Sequence, residues 1–174
     1  MELIDLLPLE KWVGLEKGIH ERSGLASNIF NVKGIRITDF KLWVNRLCPA
    51  IKADDGGQSF ICAVAHMNLA GMAKQRGITV IGECDAGLFK LVVPIFVKGE
   101  FLGTVGACGR LPDDGDVDSF MINRTIHMDE ENIESLSHDI KKITSKEAED
   151  LGEYITVRIE KIVGDYEKGR QIRI

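Results

Sequence analysis

Cys62 and His66 stand four positions apart in the stretch "SFICAVAHMNLAGMAKQ", whose apolar residues recur at helical spacing. On a helix that offset puts a thiol and an imidazole on one face. Together they can chelate a borderline metal such as zinc or iron. Cys48 precedes this stretch and Cys84 follows the next strand candidate, so both can converge on the same face. A metal site of Cys48, Cys62, His66 and Cys84 lacks tight C-x-x-C pairs, however, and cysteine is among the most often buried residue types. The same side chains fit the lining of a ligand pocket, with His66 as a satisfied core histidine, and that use is preferred over metal ligation.

Catalysis has less support. Cys84, His66 and Asp85 make a thiol triad on paper, but no nucleophile-elbow context accompanies them. Asp85 sits at a loop-to-strand junction in "ECDAGLF", where an aspartate ordinarily caps a turn. Cys108 ends the small-residue run "GTVGAC" and is expected to pack on a closely approached strand. Gly103, Gly106 and Gly109 mimic a phosphate loop, yet the acidic "RLPDDGD" follows them instead of a helix N-terminus. "DDGDVD" lacks the spacing of a calcium loop. His127 and His138 lie among acids and read as surface residues.

These residues need elements to position them. "LLPLEKWVGLEKGIHERSG" predicts an amphipathic helix ending near Gly24, with Trp12, Leu15 and Ile19 on one face. "LASNIFNVKGIRITD" predicts two short strands joined across Val32-Lys33-Gly34, and "FKLWVNRLC" a helical turn or two. "PAIKADDGGQ" reads as a loop. The helix over Ser59–Gln75 places Ile61, Ala65, Asn68, Leu69 and Met72 in one stripe, with Gly77 closing it. Strands follow at Thr79–Glu83, Leu88–Val97 and Phe101–Cys108, the last two joined by "KGE". Pro94 belongs where one N–H need not pair. Two short helices come next, the second capped by Asp129. A long helix then opens on a Thr144–Glu147 capping box and carries a seam of Leu151, Ile155, Ile159, Ile162 and Tyr166. The sum is an α+β fold of PAS/GAF type: an antiparallel five-stranded sheet flanked by helices, with a long C-terminal helix.

Composition narrows the function. With 174 residues the chain suits one domain over residues 1–143 and an amphipathic helix fit for dimerisation over 144–174. A formal net charge of −5 without a basic stripe argues against direct nucleic-acid contact. No apolar run is long enough for a membrane span, and the acidic N-terminus is unlike a secretory signal. A cytoplasmic protein with reduced thiols is expected.

The order of these features resembles the PocR sensory domain of bacterial signalling proteins, over roughly Leu9 to Lys142. The resemblance rests on Cys48 before a loop and Cys62 in the next helix. The block Cys84, Ala86, Gly87, Leu88 follows, then the strand Val93-Pro94-Ile95 and the hairpin "GEFLGTV". It implies a variant PAS-like fold that senses a small molecule, with simple hydrocarbon derivatives such as short diols as the proposed class. It also implies no catalysis, and a place upstream of a DNA-binding (transcription-regulating), kinase, cyclic-dinucleotide or chemotaxis output domain. Many members carry histidine where this chain has Asp85. The expected site combines a polar rim of Cys48, Cys62, His66, Cys84 and Asp85 with an apolar wall from Val92 to Phe96, and a homodimer forms through the C-terminal helix. Zinc or iron at the Cys/His cluster is the alternative.

Overall fold

The computed structural model describes residues 1–171. Helices α1 (Leu3–Leu6) and α2 (Leu9–Ser23) precede strand β1 (Ala26–Asn31). Helix α3 (Leu47–Ala53) leads into a π-helical segment, Gly57–Ala63, which runs directly into α4 (Val64–Arg76). Strands β2 (Val80–Glu83), β3 (Phe89–Val97) and β4 (Glu100–Cys108) follow. After them come β5 (Leu111–Pro112), α5 (Ser119–Ile126), α6 (Glu130–Ser137), β6 (Lys142–Ile143) and α7 (Ser145–Gln171).

The main sheet is antiparallel, in the order β1-β4-β3-β2, and has four strands where five were expected. The missing strand is the segment after Gly34. It starts a hairpin, with Asn31 N–H donating to Ile35 O and Ile37 N–H to Ile29 O, but leaves only an isolated bridge between Phe30 and Arg36. Beyond that bridge the Arg36 side chain turns inward. It pairs with the buried Glu16 carboxylate at 3.0 Å and donates to the Ser27 and Phe40 carbonyls, which pulls the chain off the sheet edge. β5 and β6 form a separate two-residue parallel pair.

Strand β3 is buried on both faces, which is why its sequence is a near-continuous apolar run rather than an alternating one. Its back face sends Leu91, Val93, Ile95 and Val97 into the main core with Trp12 and Ile19 of α2 and Leu151, Ile155 and Ile159 of α7. The seam of α7 is therefore buried by the domain's own sheet. β2 pairs only with Phe89–Val92, so Pro94 lies beyond the neighbouring strand on that side, as its missing N–H requires.

Other expectations hold or shift locally. Thr144 and Glu147 form their reciprocal capping box, and the Asp129 carboxylate accepts from Asn132 N–H. Pro49, read as a loop signal, sits in the first turn of α3, where its missing N–H has no helical partner to lose. The helix stripe over α4 is Ile61, Ala65, Leu69 and Ala73, with Met72 left partly exposed at 37%.

Candidate functional site

The front face of the sheet is built in rows set by strand register. Ala26, Cys108 and Lys90 lie side by side on β1, β4 and β3, with Gly82 of β2 next to Lys90. The following row is Asn28, Gly106 and Val92, and the next is Phe30, Thr104 and Pro94. Toward β2, Leu69 and Ala73 of α4 close onto Gly82 and Val92, while over Ala26, Cys108 and Gly106 of β1 and β4 the small side chains leave space beneath the helices. A cavity of about 700 Å³ results, inside the roughly 300–1,000 Å³ typical of small-molecule sites. Its roof is α3, the π segment and the start of α4, and its mouth is the segment from Gly34 to Val44.

All four cysteines line this cavity, together with His66. Cys48 enters from α3, held by Asn45, whose Oδ1 accepts from Cys48 N–H at 2.7 Å. The Asn45 amide also donates to Cys48 Sγ at 3.3 Å and to Gly109 O at 2.7 Å, tying α3 to the end of β4. Cys62 comes from the π segment, a helix type often found at functional sites. Cys84 starts the β2–β3 turn and Cys108 ends β4. Cys108, expected to be packing, thus faces the same space as the other thiols.

Burial keeps the Cys48, Cys62 and Cys84 thiols protonated. It pushes Cys48 up to about 12, with Cys108 nearby adding to the effect and Asn45 opposing it. Cys62 rises to about 11 for the same reason, against the pull of Lys52. Cys84 is also raised by burial, in spite of backbone hydrogen bonds from Ala86 and Leu88. Metal ligation and nucleophilic attack both use the thiolate. Among the described residues, no three His, Cys, Asp or Glu side chains are placed to hold a metal ion. The zinc or iron alternative therefore finds no support at Cys48, Cys62, His66 and Cys84.

His66 is seated on the third row. Its ring stacks on Phe30 with centroids 3.9 Å apart, and Nε2 shares a hydrogen bond with Thr104 Oγ1 at 3.3 Å. Nδ1 is buried without a partner. Burial drives its pKa down to about 3, helped by the positive charges of Lys90 and Lys52, so the ring is a neutral dipole at physiological pH.

Three expected site residues lie elsewhere. Asp85 is exposed on the turn closed by Gly87 N–H donating to Cys84 O, and does not line the cavity. That turn explains the "DAG": Ala86 is fully buried, and Gly87 has φ +80° and no room for a side chain, since a Cβ would meet Asp116 O at 2.2 Å. Val92 shares the cavity face of β3, but Leu69 and Ala73 of α4 cover it. Phe96 sits near the far hairpin, edge-on to Phe101 at 5.4 Å. The apolar wall is supplied instead by Phe30, Leu42, Trp43 and Leu88.

Sequence reasoning missed Lys90, Asn28 and Asn45. A signal existed for the first: Lys90 is the one charged residue in the apolar run of β3. No such signal marked Asn45, whose role depends on a carbonyl far along the chain.

A family model described as the sensory domain found in PocR matches residues 5–165. No curated protein and no solved structure gives a significant match.

Proposed function

Because the chain belongs to the PocR sensory-domain family, we propose that it is a non-catalytic sensor of bacterial signal transduction whose cavity encloses a small hydrocarbon derivative. The single observation that carries this reading is the cavity itself. It is large enough for a small organic molecule, lined by apolar groups and thiols, and fitted with a few fixed polar atoms. A thiol enzyme is disfavoured by the same geometry, because Asp85 is off the site and His66 is engaged by Thr104.

Strand β3 couples the cavity to the rest of the molecule. Its front face carries Lys90 into the cavity and its back face packs on α7. Ligand entry that shifts β3 would therefore be felt by residues 144–174, which we assign as the relay to a separate output protein or domain. With its inner seam buried, α7 would dimerise through its outward side, where Val157 is 55% exposed. No helix among the described residues is long and apolar enough to cross a membrane.

The test is a thermal-shift screen of short alcohols, diols, aldehydes and acids on the full chain. A ligand of the native state raises Tm as its concentration passes its dissociation constant. Ala63→Phe, which fills the cavity from its roof, should abolish that shift while leaving the unliganded protein folded. A shift that survives the substitution would place the ligand elsewhere.

A further inference from the structure

The cavity floor holds a lysine with nothing to pair with. Lys90 is only 6% exposed, and among the described residues no carboxylate lies within ion-pair distance and no hydrogen bond engages its ammonium. Lys90 lines the cavity, and its ammonium is not among the fully buried atoms left without a partner, so the charge is presented to the cavity interior, where an entering anion can pair with it. Its row neighbours on the sheet, Cys108 and Gly82, offer no charge: Leu69 of α4 covers Gly82, and the small Cys108 faces the cavity beside Lys90.

The other charged groups around the cavity do not supply the missing partner. Arg36 is committed to Glu16, Lys41 and the lone acid Asp39 are exposed at the mouth, and Lys52 is exposed on α3 over the Trp43 ring. With Arg36 paired to Glu16, the lining carries Lys41, Lys52 and Lys90 against Asp39, in a chain whose net charge is −5. An excess of positive charge in a concave site of an acidic protein attracts anions. His66 Nδ1 and Asn28 Oδ1, both buried and unpartnered, are further polar atoms facing the same interior.

We infer that the ligand is a small organic acid, whose carboxylate is bound by Lys90 at the floor of the cavity and whose apolar body lies against Phe30, Leu88 and the thiols. This rests on the sensor reading above and narrows its ligand class. The carboxylate supplies the counter-charge that the protein withholds, and a neutral alcohol of the same length cannot. Lys90 is then a ligand detector as well as a binding group, since it lies on the strand that backs onto α7.

Matched pairs test it: acetate through octanoate, and benzoate, each titrated into the full chain beside its own alcohol, with Tm and calorimetric affinity as readouts. Acids are expected to bind about ten- to a hundredfold more tightly than their alcohols, the ordinary worth of a charged hydrogen bond. Lys90→Met should erase that preference and keep the weaker alcohol binding. Alcohols that match their acids in the native chain, or a Lys90→Met protein that still prefers acids, overturn the inference while leaving the sensor reading intact. If no member of any pair binds, both fall. The native-chain comparison decides the matter even if the variant does not fold.

Discussion

The Nε2 of His66 lies 3.3 Å from the Oγ1 of Thr104, joining helix α4 to the cavity face of β4. Phe30, the strand neighbour of Thr104, stacks on the same ring. One neutral imidazole therefore pins the cavity roof to its floor.

That pin makes stability depend on pH in a defined direction. The folded-state pKa of His66 is lowered to about 3 by burial and by Lys90 and Lys52, against about 6.5 for an unfolded chain. As pH falls the unfolded state takes up the proton first. Stability present above the unfolded value is lost progressively as pH drops from there toward the folded value. Denaturant titrations should show about 2 kcal/mol less stability near pH 5 than near pH 7.5 from this group. His66→Gln should flatten that part of the profile, and an unchanged slope would show that the ring is not held neutral.

The thiols should be slow. With Cys48 raised to about 12 and Cys62 to about 11, the thiolate fraction at neutral pH is far below that of a free cysteine. Alkylation by iodoacetamide near pH 7.5, followed by mass spectrometry, should be at least about tenfold slower at both than in a small peptide. A fast-reacting Cys48 or Cys62 would reopen the enzyme reading.

Helix α7 should be indispensable for folding. Ile155 is fully buried in the core shared with β3 and α2. Ile155→Ala should cost about 2–5 kcal/mol in denaturant titrations. A chain ending at Ile143 should fail to fold, because the back face of the sheet loses its cover. If that shortened chain unfolds cooperatively, α7 is an appendage rather than part of the core.

Gly106 should be intolerant of a side chain. A Cβ there would stand 2.3 Å from Asn28 Oδ1, so the amide must move. Gly106→Ala should destabilise the protein by about 1–3 kcal/mol and weaken ligand binding by altering the floor.

The sequence made some of this architecture plain and hid the rest for physical reasons. The Thr144–Glu147 capping box, the Asp129 cap, the β3–β4 hairpin and the seam of α7 were readable because each depends on residues close in the chain. What the seam packs against was not, since burial by a sheet and burial by a second copy require the same apolar spacing. Arg36 removed the fifth strand through a contact with Glu16 twenty residues earlier. Cys48, Cys62, His66 and Cys84 were picked by residue type and do share one cavity. Val92 lies on the cavity face but under α4, outside the cavity lining, because period two gives the face of a strand but not which part of that face a helix covers.

The central claim is that this cavity is where the ligand binds, and thiol protection tests it most directly. A compound that raises Tm is added at saturation, and the alkylation rates of Cys48, Cys62, Cys84 and Cys108 are measured with and without it. The account predicts that all four slow together, since all four line the one cavity. A compound that stabilises the protein yet leaves all four rates unchanged would contradict it.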